Sequence, residues 1–366
     1  MFAAAKIAIC FAIPLVVVGA YGLSTEKVNS GATTSAWSPK SAAAYLDSRT
    51  KSWMSGGAID HGTFCISCHT ALPYALARPA IRSALGELER SSVETQLLES
   101  VSKRVKVWDE VQPYLGDKTG GLPSESVLNA LVLAEEDARK GRMSDTTKAA
   151  LKLMWSHQMK TGERAGAWQW FNFGNEPWEA PDSEYWGATL AAVAAGDAPE
   201  GYLGTPQIQA DLGLLKAYLR KDEETKSLFN RLNLLWASTK VPGIISAEHR
   251  ATIVSDALAV QQADGGWSTG SLIPSNWARR DKTPRVTTSD GFGTGMVAFV
   301  LEQAGVRRSR PAMQMALSWL SRNQDPTTGG WPTSSPNVTR DASTDVGKFM
   351  TDAATAYAVL ALSNPG

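Results

Sequence analysis

The chain has 366 residues, 36 basic and 36 acidic, so its formal net charge is zero, and 43% of it is hydrophobic. Balanced charge without a long Lys/Arg run argues against a nucleic-acid partner, while the apolar content is enough for a substantial core. Three cysteines in a chain of this length exclude a disulfide-built domain.

Lys6 precedes an apolar run from Ile7 to Ala20, and Val18-Gly19-Ala20 offers a small-x-small cleavage site. Residues 1–23 therefore read as a signal peptide or, if uncleaved, a membrane anchor; the run is shorter than the roughly 20 residues that span a bilayer comfortably. Residues 24–40 are rich in Ser, Thr, Ala and Gly, as a flexible linker would be. The expected location is periplasmic or otherwise extracytoplasmic, with membrane contact only through the N-terminal segment.

Removal of the signal leaves two cysteines, both in Cys65-Ile66-Ser67-Cys68-His69. This pentapeptide resembles the haem-attachment motif of c-type cytochromes. The resemblance implies one covalent haem c per chain, thioethers at Cys65 and Cys68 on one side of a short helix, and His69 as proximal iron ligand. His61 is the first candidate for the distal position, with His157, His249, Met54, Met143 and Met154 as others. Three further readings of the pair stand beside it: a redox-active dithiol, which lacks a surrounding βαβ pattern; a zinc site recruiting His61; and a structural disulfide.

From about Ser41 the periodicity predicts twelve helices, over 41–55, 78–89, 93–109, 124–139, 146–159, 183–195, 207–220, 225–239, 247–262, 290–304, 310–323 and 351–363. Two kinds alternate. The stretch Pro311 to Gln324 is amphipathic, with Met313, Leu317 and Leu320 on one face, whereas 186–195, 296–301 and 353–362 are apolar nearly all round. A helix apolar on every side must be buried on every side, so the alternation predicts an outer ring wrapped round an inner one.

The loops after the amphipathic helices repeat: Gln158…Gly166-Ala167-Trp168, Gln262…Gly265-Gly266-Trp267 and Gln324…Gly329-Gly330-Trp331. They resemble the repeat of the terpenoid-cyclase and protein-prenyltransferase superfamily over roughly 120–363. That resemblance implies an all-α fold, an α/α toroid of about six helical hairpins over 41–366, with the haem segment (about 56–77) as an insertion. It does not carry the activity. No two aspartates are consecutive, so the acid and metal motifs of the cyclases are missing, and no cysteine follows Cys68 to complete a prenyltransferase zinc site.

Acidic residues open the buried helices: Glu125, Glu184, Asp290 and Asp352. Glu184 and Asp290 are the candidates for catalytic carboxylates; N-terminal capping is the competing role. Trp168, Trp170, Trp178 and Trp186 either line an apolar cavity or pack under the loops, and Asn337-Val338-Thr339 matches a glycosylation acceptor. The leading expectation is an exported monohaem cytochrome that transfers electrons to a partner protein. The alternatives are a haem oxidoreductase taking an apolar, isoprenoid-like small molecule into the toroid, or a haem-free toroid acting as lyase, hydrolase or binding module.

Overall fold

The computed structural model describes residues 37–56, 59–111 and 120–363. The described residues belong to one compact unit. The expected signal or anchor, and the linker as far as residue 36, lie outside the described residues; the end of the expected linker, Pro39 and Lys40, instead opens the first helix. No described helix is long and apolar enough to cross a membrane.

Among the described residues, twelve long α-helices and one short one make up most of the structure. They are α1 (Pro39–Gly56), α2 (Ala71–Leu85), α3 (Ser92–Lys106), α4 (Gly121–Lys140), α5 (Asp145–Ser156) and α6 (Ser183–Asp197), then α7 (Gln209–Arg220), α8 (Leu228–Lys240), α9 (Ala247–Ala259), the single turn α10 (Thr269–Leu272), α11 (Gly291–Gln303), α12 (Pro311–Arg322) and α13 (Asp345–Ser363). A two-stranded antiparallel hairpin, β1 (Ile59–Asp60) and β2 (Thr63–Phe64), precedes α2. Each predicted helix is present. The largest shifts are α2, which starts at Ala71 because Ser67 caps it and Pro79 is held inside it, and α13, which starts two turns early.

The hairpins α1/α2, α3/α4, α5/α6, α7/α8, α9/α11 and α12/α13 form a closed α/α toroid. Its inner wall runs α2–α4–α6–α8–α11–α13 and returns to α2, each helix touching the next. Burial follows the sequence pattern. Every residue of α11 from Gly291 to Leu301 is buried, whereas α12 buries only Met313, Ala316, Trp319 and Leu320.

The repeated loops have one geometry. Trp168, Trp267 and Trp331 each donate an indole hydrogen bond to a carbonyl of the preceding outer helix, at Met154 (2.6 Å), Ala257 (2.7 Å) and Leu320 (2.8 Å). A glutamine amide then ties each loop to the next outer helix. Gln158 donates to Gly166 and Asp211, Gln261 to Gly265 and Ala312, and Gln324 to Gly329 and Ser38. The middle repeat uses Gln261; the expected Gln262 bonds to Thr287 instead. Gln324 also accepts the Ser38 amide at 2.6 Å, which fastens the last repeat to the first helix. Gly265 has φ +95° and packs where a Cβ would stand 2.7 Å from the Met315 carbonyl, so the loop requires glycine there.

Candidate functional site

The Cys65–His69 segment forms no helix. Cys65 to Ser67 have no regular structure and Cys68 to Thr70 turn into α2, where the Ser67 hydroxyl accepts the Thr70 and Ala71 amides. Both thiols are buried in the wall. Burial pushes the Cys65 thiol up to about 12 and the Cys68 thiol well above its ordinary range, which makes both poor thiolates.

His69 is packed on both sides. Its ring stacks on Phe349 with centroids 3.6 Å apart, and Trp53 meets it edge-on at 5.2 Å. Phe349 and Trp53 thus hold the ring in place within the wall. His61 occupies the exposed turn of the β hairpin, 2.7 Å from the Asp60 carboxylate. Of the other candidates, His157 packs on Trp108, His249 pairs with Glu223 and Glu224, and the three methionines are buried in the core.

The carboxylates singled out from sequence are engaged in structure. Asp290 caps α11, accepting the Gly293 amide at 2.8 Å and both the amide and hydroxyl of Thr269. Glu184 pairs with Arg164, and Glu125 with Arg104 in a fully buried ion pair. Burial pushes the Asp290 and Glu184 carboxyls up. The four tryptophans are buried and pack; Trp170 donates to the Trp178 carbonyl and lies edge-on to Trp186. Asn337 is no glycan acceptor, because its buried amide bonds in both directions to the Glu176 backbone.

Asp352 is different. It lies two turns inside α13 and faces α1 and α2, not the helix start. Its carboxylate accepts Tyr45 Oη and Arg49 Nε at 2.8 Å each, and Thr70 Oγ1 at 2.7 Å. Thr70 Oγ1 is also 2.9 Å from His69 Nδ1. A hydroxyl has one proton, and here it goes to the carboxylate. Thr70 must then accept from Nδ1–H, which leaves His69 Nε2 bare as a proton acceptor. The chain Asp352–Thr70–His69 therefore fixes a tautomer. Burial first, then the Arg49 and Arg340 guanidinium charges, lower the His69 pKa to about 3, so the ring is neutral.

Arg340 is shared. It lies in the loop before α13, its guanidinium has no hydrogen bond or ion pair among the described residues, and its charge is felt by both His69 and Glu179. Burial pushes the Glu179 carboxyl up, against Asn175, which donates to it at 3.3 Å, and Arg340. Nearby in the same loop, burial and then the Asp182 charge raise the Glu176 carboxyl to about 8. A cavity of about 600 Å³ is lined by Tyr45, Arg279, Asp325, Arg340, Lys348 and Thr351 among others, three cations against one carboxylate; Arg340 links it electrostatically to His69 and Glu179, which are not themselves among its lining residues. Arg279 is tied to Ser335 and Thr283 and Lys348 donates to the Ser343 carbonyl at 3.1 Å, leaving Arg340 as the charge most available to a ligand. Sequence reading missed Thr70, Glu176, Glu179 and Arg340, none of which sits in a local motif.

The fold defines an α/α-toroid protein, and solved structures with that architecture match most of the chain. A polysaccharide lyase aligns over 89% of this chain and 96% of its own, with TM-score 0.50 and 12% identity. A possible member of the GH105 family from Klebsiella pneumoniae aligns over 89% and 93%, with TM-score 0.49 and 12% identity. At such identity the likeness is one of fold. Searches against family models and curated protein sequences find no match.

These findings overturn the cytochrome reading and the electron-transfer role that went with it. The pentapeptide is a buried segment of the toroid wall, the fold is the toroid that a polysaccharide lyase also has, and among the described residues no group of three or more His, Cys, Asp and Glu could hold a metal ion.

Proposed function

We propose that the chain is a lyase of acidic saccharides, working at the cationic mouth of the toroid. The observation that carries this reading is the Asp352–Thr70–His69 chain, which holds a neutral imidazole with Nε2 unprotonated. Arg340 binds the substrate carboxylate and makes the carbon next to it more acidic. His69 Nε2 takes the proton from that carbon, a C=C bond forms, the glycosidic C–O bond breaks, and the leaving oxygen takes a proton from the Glu179 carboxyl, whose proton affinity burial raises. Substrate binding also helps the base. Burial does most to hold the imidazole neutral, and a carboxylate on Arg340 cancels one of the two charges that add to it, which raises its basicity when substrate is present.

Fold likeness to a polysaccharide lyase agrees with this assignment but does not carry it. An extracytoplasmic location, where such polymers are met, belongs to the proposal.

The test is incubation with a panel of polyuronates, following both ultraviolet absorbance of unsaturated chain ends and release of reducing ends. The reading expects both signals, and loss of both in His69→Gln. Neither signal on any acidic polymer would contradict it. One observation favours a second reading: Glu176, protonated at neutral pH beside Asp182, has the arrangement of a hydrolytic acid and its partner. Hydrolysis would release reducing ends without unsaturation, and Glu176→Gln would abolish it.

A further inference from the structure

The last turns of the inner helices α4, α6 and α8 meet through charged side chains. Asp197, which ends α6, pairs through Oδ1 with Lys240 Nζ at the end of α8, 2.6 Å away. Gly196 permits that approach, since a Cβ there would stand 2.5 Å from the Lys240 Cβ. The other oxygen, Asp197 Oδ2, is buried and receives no hydrogen bond from any N–H or hydroxyl of the described residues. Against it lies the carboxyl of Glu135 from α4, with which Asp197 shares a side-chain hydrogen bond. Two ionised carboxylates have no proton between them, so that bond exists only while one of them is protonated. Burial first, then the Asp197 charge and this bond, raise the Glu135 carboxyl to about 7. Lys240 and Arg139, the latter with Nη1 3.4 Å from Glu135 Oε2, act against the rise. Asp197, Lys240 and Arg139 are the charges that face Glu135. Neighbouring charges are engaged elsewhere: Glu136 with Arg90 and Lys140, Asp137 with Ser144 and Thr147 at the start of α5, and Arg82 of α2 with Glu94.

We propose that Glu135 and Asp197 form a proton-held clasp that ties α4 to α6, and through Lys240 to α8, and that opens when the shared proton leaves to solvent. Once both are ionised, two negative charges stand side by side in a largely buried place, and their repulsion loosens the ends of the three helices. The folded Glu135 carboxyl holds its proton more tightly than the unfolded one. The contribution of the clasp is therefore full below the unfolded carboxylate pKa and is lost as pH rises through about 7. This end of the ring is firm in mildly acidic surroundings and loose in alkaline ones. The clasp shares no residue with the His69 site and is independent of the proposed lyase activity.

The experiment is hydrogen–deuterium exchange of the full chain by mass spectrometry at about pH 6 and about pH 9, with rates corrected for the intrinsic effect of pH. Peptides covering the ends of α4, α6 and α8 are compared with α12, which contributes no residue to the clasp. In the wild type, protection of the three ends should fall about ten-fold more than that of α12, the equivalent of about one pKa unit of coupling. Glu135→Gln should abolish that difference, because its amide donates to Asp197 Oδ2 at either pH. Should that variant fail to fold, Asp197→Asn, whose amide donates to an ionised Glu135, is expected to do the same. An equal fall in α12 and the three ends of the wild type, or a pH-dependent loss that survives in the folded variant, would each overturn the proposal.

Discussion

Asp352 accepts hydrogen bonds from Tyr45 and Arg49 on α1 and from Thr70 in the turn before α2, and Arg49 links it to Asp345 at the start of α13. Asp352→Asn removes the charge that faces the buried Arg49, so it should cost about 3 kcal/mol in a denaturant titration. It should also lower turnover by about ten-fold or more, because the imidazole tautomer is no longer held. Asp345→Asn loses a partner that is 64% exposed and should stay within about 0.5 kcal/mol of wild type. Equal costs at the two positions would show that the buried carboxylate has no special place.

Glu176 gives a prediction with a pH sign. Its folded pKa of about 8 lies above the unfolded carboxylate value, so the native state holds a proton that the unfolded chain releases. Stability contributed by that proton is full below the unfolded pKa and is lost as pH rises towards about 8. Glu176→Gln should flatten the decline of melting temperature across that window and leave the variant more stable than wild type at the alkaline end. An unchanged slope would mean that the carboxyl is ionised in the fold. His69 runs the other way: with its folded pKa lowered to about 3, its contribution is lost as pH falls below the ordinary histidine value.

At the scale of elements, the Gln–Gly–Trp loops act as rivets between successive outer helices. Gln324→Ala strands the Gly329 carbonyl and the Ser38 amide, and should cost about 1–3 kcal/mol by thermal or denaturant melting. Gly265→Ala should cost more than Gln324→Ala, since it adds backbone strain at φ +95° to a steric clash. The helices and these loops were legible because their signals are local: a 3.6-residue period, glycines at turns, and a tryptophan at fixed spacing. Errors arose where local signals competed. Gln261 and Gln262 are both candidates by spacing, and only the contact with Ala312 separates them. In Cys65–His69 the spacing resembles a haem motif, yet the cap at Ser67, the Phe349 stack and the Asp352 contact give those residues structural work to do.

At the scale of the whole molecule, the ring is closed by residues far apart in sequence. Ser38 meets Gln324, and Tyr45, Arg49 and Thr70 meet Asp352. The candidate site exists only once that closure is made, because its parts come from residues 69–70, 176–179, 340 and 352. No window of sequence contains them together, and so the site was not legible although most of the fold was. A chain ending at Thr344, without α13, would expose the facing sides of α2 and α11. It should show no cooperative thermal transition by circular dichroism; retention of the wild-type transition would mean that closure is dispensable.

The account depends on the state of one imidazole. Nitrogen-15 NMR of the histidine-labelled chain, with His69 assigned by comparison with His69→Gln, reads that state directly. The predicted spectrum has a proton on Nδ1, a bare Nε2, and no titration across the range where free histidine titrates. A proton on Nε2, an ordinary histidine titration, or the large shifts of an iron-bound ring would contradict it.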